Sequence, residues 1–253
     1  MRYARIIIAS LCLSLLGTSY VYAKEPISKV IENAIASKSR PDSDTAQDPD
    51  RKPAKVLAFI GIKPGMRVAD LIPGGGYYTR LFSKIVGRHG HVYSVVPTEF
   101  LSMRSTADAP IQAIAASPGY KNVTELKQSI NKVHTPKKLD IAFTSMNYHD
   151  LHDPFMGPAN MSEVNKSIFN SLKHGGVYIV LDHAAEAGSG VRDTNTLHRI
   201  DPAVVKKEVL AAGFVFDGES NALRNPDDDH TKRVFDPSIR GRTDKFIYKF
   251  RKP

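Results

Sequence analysis

Met66-Arg67-Val68-Ala69-Asp70-Leu71-Ile72-Pro73-Gly74-Gly75-Gly76-Tyr77-Tyr78-Thr79 is the stretch whose reading decides the fold. Arg67 to Leu71 is a short, mostly apolar run carrying one acid, the texture of a buried strand, and Tyr78 to Val86 has helical apolar spacing. Three adjacent glycines separate the two. Glycine lets the backbone come close to a ligand and take a positive φ without a Cβ clash. A strand that runs through such a turn into a helix N-terminus is a framework for a nucleotide-like ligand. No Gly-Lys-Ser/Thr follows, so the turn is not a P-loop, and it lacks the full G-x-G-x-x-G spacing.

Outward from this turn the chain alternates between strand and helix texture. Upstream, Pro53 to Ile60 has helical spacing with proline in the first turn and Gly61 as its stop. Downstream, strands are predicted at Gly90–Val96, Val123–Leu126, Leu139–Met146, Val177–Leu181, Phe214–Gly218 and Lys245–Arg251. Helices are predicted at Leu101–Ala116, from Ser162 to Lys173 before Gly175-Gly176, and from Asp201-Pro202 to Gly213. The polar segment Ala222–Thr243 contains no helix pattern, so the last strand should return as a hairpin, antiparallel to the rest. The expected fold is a single α/β domain over 53–253, a Rossmann-like, doubly wound, seven-stranded and mostly parallel sheet with its last strand antiparallel.

Before that domain the chain opens with Arg2 and Arg5, an apolar run from Ile6 to Leu16, and Val21-Tyr22-Ala23. This reads as a signal peptide over 1–23, cleaved after Ala23, which makes the protein exported, periplasmic or secreted. The apolar run is shorter than the about 20 residues of a transmembrane helix, so no span is expected after cleavage. Cys12 is the only cysteine and leaves with the signal. Disulfides, thiolate catalysis and cysteine-ligated zinc are thereby excluded from the mature chain. Residues 24–52 read as a polar N-terminal arm. The formal charge of +9 falls to +7 when Arg2 and Arg5 are lost (9 minus 2). Outside the cytoplasm this basic balance does not point to nucleic acid, and a basic surface touching anionic membrane or cell wall accounts for it.

In open α/β sheets ligands sit beyond the carboxyl ends of the strands. Four segments should meet there: Asp70 to Gly76, Pro97-Thr98-Glu99, Asn147 to His152, and Asp182-His183-Ala184-Ala185. His149 is the candidate general base, with Asp150 to orient it and Tyr148 as an aromatic wall or hydroxyl. His183 and the run Leu197-His198-Arg199-Ile200-Asp201 form a second candidate group, and Ala187-Gly188-Ser189-Gly190 suggests a lid. His149, His183, His198 and nearby aspartates have metal-ligand chemistry but none of the compact motif spacings, so no metal site is expected. Asp227-Asp228-Asp229-His230 lacks a calcium-loop pattern and reads as a solvated turn.

The opening stretch resembles the first motif of class I S-adenosylmethionine-dependent methyltransferases, apolar-apolar-Asp-Leu-Gly-x-Gly-x-Gly. Asp70, Gly74 and Gly76 fall on matching positions, and Ile72 stands where the first glycine belongs. The order of elements from Pro53 to Pro253 is also similar to that family. Asn147-Tyr148-His149-Asp150-Leu151, Asp182-His183-Ala184-Ala185, Leu197 to Asp201 and Lys249 to Pro253 resemble an exported bacterial group of predicted methyltransferases. The resemblance implies S-adenosylmethionine as cofactor, held by Asp70, Pro73, Gly74, Gly75 and Gly76. The family's ribose-binding acid after strand two is replaced here by Val96 or Pro97, which leaves Glu99 as the nearest acid. The implied activity is methyl transfer to a small-molecule or cell-envelope substrate, with an exported ligand-binding protein, or a hydrolase or lyase, as alternatives on the same fold.

Overall fold

The computed structural model describes residues 26–156 and 159–253; the expected signal peptide and its cleavage point lie outside the described residues. Strands β1 (Arg67–Leu71), β2 (His91–Pro97), β3 (Val123–Gln128), β4 (Leu139–Ser145), β5 (Leu172–His183), β6 (Val215–Ser220) and β7 (Lys245–Arg251) form one sheet. Their order is β3-β2-β1-β4-β5-β7-β6. β1 to β5 pair in parallel, and β7 lies antiparallel between β5 and β6. A parallel return needs a crossover of a dozen or more residues, usually a helix. The segment between β6 and β7 contains no helix, and β7 comes back reversed. The expected doubly wound sheet with an antiparallel last strand is the observed one.

Ten α-helices accompany the described strands: α1 (Ile27–Ile35), α2 (Asp42–Thr45), α3 (Asp48–Arg51), α4 (Pro53–Ile60), α5 (Tyr77–Val86), α6 (Thr98–Met103), α7 (Ala109–Ala116), α8 (Met161–Ser171), α9 (Thr194–Leu197) and α10 (Pro202–Ala211). Side chains alternate across each strand, so β5 sends Val177, Ile179 and Leu181 to one core and Tyr178 and Val180 to the other. The first core is closed by α1, α4, α5 and α7 through Ile31, Leu57, Leu81, Phe82 and Ile111. The second is closed by α8 and α10 through Val164, Ile168, Val205 and Val209. No helix among the described residues is long and apolar enough to cross a membrane.

Three local expectations differ from the structure. The single helix expected over Leu101–Ala116 is two, α6 and α7, because Pro110 sits in the first turn of α7. A continuous helix would need a Pro110 N–H for the Thr106 carbonyl, and the ring would press on that carbonyl. The helix expected to reach Lys173 stops at Ser171, and β5 takes in Gly175 and Gly176. The polar arm is folded: α1 buries Ile31 and Ala34 in the first core, and Arg40 holds Asp48 through both guanidinium nitrogens at 2.8 and 2.6 Å. Tyr77 donates to the same Asp48 at 2.6 Å, and Arg80 pairs with Asp44 at 3.0 Å. The arm is thereby fastened to α5, the helix that follows the glycine turn.

Candidate functional site

The chain leaves β1 towards β2 on one side and β4 on the other, which makes the carboxyl ends of β1 and β4 the point where strand order reverses. The glycine turn lies there. Gly74 and Gly76 adopt positive φ of 53° and 81°, and Gly75 does not. A Cβ on Gly76 would collide with Ile114 Cδ1 of α7, whereas nothing lies within 4 Å of one on Gly74 or Gly75. Gly76 therefore serves packing of the turn against α7, and Gly74 and Gly75 face open space. Ile72 takes φ 55° without being glycine, an outlier for a β-branched residue. Two bonds hold it there: its N–H donates to Val95 O at 3.0 Å, and Asn147 Nδ2 donates to its carbonyl at 3.0 Å.

Ile72, Pro73, Gly74 and Gly75 border a cavity of about 510 Å³ with Val96, Pro97, Phe100 and Asn147. Asp70 does not reach it. Its buried carboxylate accepts from Thr79 Oγ1 at 2.6 Å, so it supports the turn from beneath. Glu99 does not reach it either, because Ser129 Oγ donates to it at 2.6 Å and the Ile130 N–H at 3.3 Å. Among the described residues no carboxylate borders this cavity.

Burial pushes the Asp70 carboxyl up to about 7, and the Thr79 hydrogen bonds only partly oppose this. A carboxyl whose folded pKa is raised favours the native state below the unfolded pKa near 4. That contribution is lost as pH rises through about 7. Asp70→Asn should therefore be near neutral at pH 4 and stabilising at pH 8, by about 4 kcal/mol at 1.36 kcal/mol for each pH unit between 3.8 and about 7. Urea unfolding of both forms at the two pH values checks it, and a variant less stable at pH 8 than the parent would contradict it.

The second group grows from the end of β5. Asp182 is fully buried and accepts three hydrogen bonds: from the His149 N–H at 2.8 Å, from His149 Nδ1 at 2.8 Å and from the His183 N–H at 2.7 Å. One carboxylate thus locks the turn after β4 to the end of β5. The His149 and His183 rings lie 6.1 Å apart, as the strand-end reading expected. His198 joins them, its ring 5.4 Å from that of His149, in a left-handed conformation at φ 56°. Ile200 forms a parallel bridge to Ala184, which carries that segment to the mouth. His149, Asp150, His183 and His198 line a cavity of about 770 Å³. Phe100 and Asn147 border both this cavity and the one over the glycine turn.

The charges around this group divide the roles of the histidines. Burial alone would lower His149, but Asp182 and Asp150 outweigh it and hold the imidazole up at about 10. Asp182 and Asp150 thus favour the protonated ring, which weakens His149 as the expected general base. Burial, with Lys245 and His149 nearby, drives His183 well below the usual histidine range. Its Nδ1 lies 2.7 Å from Thr243 Oγ1, which leaves Nε2 for a ligand. Burial lowers Lys245 to about 8. With Arg51 and Arg240 it adds positive charge to the lining of this cavity.

Tyr148 is not brought to the histidines. It is fully buried in the second core, donating to Glu208 at 2.8 Å and accepting from Asn165 at 2.9 Å. The Ala187–Gly190 run lines neither cavity and is tied down by Asp201, which accepts from the Gly188 N–H at 2.8 Å. Asp228 is buried rather than solvated and forms a two-pronged pair with Arg199 at 2.9 and 3.0 Å. Sequence reasoning also missed α3 of the arm, whose Asp50 and Arg51 line the larger cavity beside Gln47.

A family model for protein-L-isoaspartate (D-aspartate) O-methyltransferase matches residues 42–125, about a third of the chain. No curated protein matches the sequence. Among solved structures, the chain is similar to an S-adenosylmethionine-dependent methyltransferase from Aquifex aeolicus, with 19% identity, 90% of this chain and 98% of that one covered, and a TM-score of 0.57. A putative sarcosine dimethylglycine methyltransferase from Galdieria sulphuraria shares 17% identity over 81% of this chain and 85% of that one, at a TM-score of 0.55. The [4+2]-cyclase SpnF shares 14% identity over 90% and 93%, at 0.56. The chain has the fold of the class I S-adenosylmethionine-dependent methyltransferases.

Proposed function

We propose that this protein transfers a methyl group from S-adenosylmethionine to a small-molecule or cell-envelope acceptor. The observation that carries the reading is the pair of cavities that meet at Phe100 and Asn147, one over the glycine turn and one lined by the histidines. A donor and an acceptor held in adjoining pockets are brought to reaction by positioning, the main resource of such catalysis. The cofactor fits the smaller cavity in part. Gly74 and Gly75 offer open backbone to its methionine end, and Val96, Pro97 and Phe100 make an apolar slot for a base. The ribose finds no carboxylate, and Asn147, Thr106 and Arg104 are the polar side chains left to it. When bound, the cofactor supplies an electrophilic methyl group on a sulfonium.

The chain's own residues would do the rest. Arg51, Arg240 and Lys245 favour an acceptor carrying an anionic group, and His183 Nε2 would take the proton that the nucleophile loses. The basic start, apolar run and Val21-Tyr22-Ala23 exit support export, and protein sequencing of periplasmic material should begin near Lys24. The missing ribose acid favours a second reading, an exported binding protein for another ligand.

Calorimetry of the purified mature protein with S-adenosylmethionine and S-adenosylhomocysteine separates the two readings, with one site per chain expected for methyl transfer. Gly75→Val should fold normally, because Gly75 avoids the left-handed region, while its side chain enters the open space over the turn. Affinity should fall at least about tenfold, a change of 1.4 kcal/mol. No binding by the parent would remove the methyl-transfer reading, and unchanged binding by Gly75→Val would remove the glycine turn as its seat.

A further inference from the structure

Beside the proposed methyl-transfer reading, and without using any residue of the glycine turn, the larger cavity contains a second arrangement of donors. His149 Nε2 lies 3.3 Å from His198 Nδ1 and 3.2 Å from Asp150 Oδ1, and His198 Nδ1 lies 3.6 Å from the same oxygen. A tetrahedral ion about 2.1 Å from each of three nitrogen or oxygen donors sets them about 3.4 Å apart. The three donors therefore already stand at the spacing of one face of such a site. They are the only group of three acidic, histidine or cysteine ligands so gathered among the described residues.

Two further observations point to a cation. Asp182 receives His149 Nδ1 from behind. That fixes the ring and leaves Nε2 as the donating atom, the usual carboxylate-to-histidine support of a bound metal. Asp153 is fully buried beside the group, and neither of its carboxylate oxygens has a hydrogen bond among the described residues. The nearby Thr194 hydroxyl donates to Val191 O instead. Asp150 and Asp182 thus hold the His149 ring from its two nitrogens. Arg233 Nη2 lies 3.1 Å from His198 Nε2 on an exposed side chain that also packs over Phe235, and it would turn to solvent when that nitrogen carries the proton.

We propose that His149 Nε2, His198 Nδ1 and an Asp150 carboxylate oxygen bind one divalent first-row transition-metal ion of the zinc type, with its open position towards the cavity. Two imidazoles with one carboxylate suit such an ion, whereas magnesium and calcium prefer all-oxygen sets. The open position faces the space lined by His183, Phe235 and Lys245, where a water or an oxygen of the acceptor would complete the coordination.

The test uses the chelator-stripped full mature chain without S-adenosylmethionine, so it reads the metal site independently of the methyl-transfer reading. Calorimetric titration with zinc chloride should show one ion per chain, with magnesium chloride giving none. His198→Ala and Asp150→Asn should weaken zinc binding more than about 100-fold, and Asp182→Asn about 10–100-fold. His230→Ala, at a histidine paired with Asp244 outside the cavity, should leave it unchanged. The cobalt-loaded parent should show the intense visible bands of a low-coordinate ion, which reads the ligand set even where a variant fails to fold. Absence of zinc uptake by the parent, full affinity in His198→Ala, or a cobalt spectrum of the hydrated ion alone would each overturn the site.

Discussion

Arg199→Ala is expected to destabilise the protein by about 3–5 kcal/mol, the range for breaking a buried ion pair by removing one partner. Arg199 has 0% exposure, and every one of its bonds ends on a buried or backbone group. Its two terminal nitrogens hold Asp228, Nη1 also donates to Ala184 O at 3.0 Å, and Nε donates to Lys232 O at 2.9 Å. One guanidinium therefore fastens the end of β5, the segment bearing His198 and the loop before β7. Without it Asp228 is left buried and unpaired, and two carbonyls lose their donor. Arg199→Lys keeps the charge but not the fork, and should recover only part of the loss. Replacing both partners, as in Arg199→Met with Asp228→Leu, should cost less than Arg199→Ala alone, because no charge is stranded. Urea unfolding gives all three values. A cost below about 1 kcal/mol for Arg199→Ala would mean that the pair is only a surface contact.

This pair also shows where the sequence stopped being legible. In the chain, Asp227-Asp228-Asp229-His230 has the composition of a solvated turn, and nothing in it singles out Asp228. Only the fold, which brings Arg199 across 29 residues, makes that one acid a buried partner. The sheet was readable because its strands carry their own signal: apolar runs bounded by glycine, proline and polar residues, with β1 and β7 found at their observed limits. The meeting of His149 and His183 followed from the same logic, since parallel neighbours put their carboxyl ends on one edge. His198 had no such guide. It reaches the mouth through the single bridge between Ile200 and Ala184, which leaves no periodic trace. Tyr148 failed for a local reason: a short 3₁₀ turn begins at His149, and the two neighbouring side chains take different partners, Glu208 for Tyr148 and Asp182 for His149. The arm looked polar because its apolar stripe is short, yet α1 buries two of its residues and α3 walls the cavity.

His183→Ala is expected to lower methyl transfer about 10²–10⁴-fold, the range for loss of a positioned general base, while affinity for S-adenosylmethionine stays within about twofold. The argument begins with what the other histidines cannot do. His149 Nδ1 is fixed on Asp182, and its Nε2 faces Asp150 and His198, so this nitrogen carries either a proton or a metal ion. In neither state does His149 offer a lone pair to a substrate, which moves the search for the base from His149 to its neighbours. His183 is different. Its Nδ1 meets Thr243, its Nε2 has no partner among the described residues, and burial keeps the ring neutral at the cavity wall. The lining of the smaller cavity does not include it, which is why the cofactor should not register its loss. Transfer of tritiated methyl groups from S-adenosylmethionine to a periplasmic and envelope extract measures the rate without a known acceptor, and calorimetry measures the cofactor. Thr243→Val, which removes the hydroxyl that orients the ring, should give a smaller loss in the same direction. If His183→Ala transfers methyl groups at the parental rate, the proton must leave by another route, and Lys245, lowered to about 8 on the same wall, becomes the group to replace next.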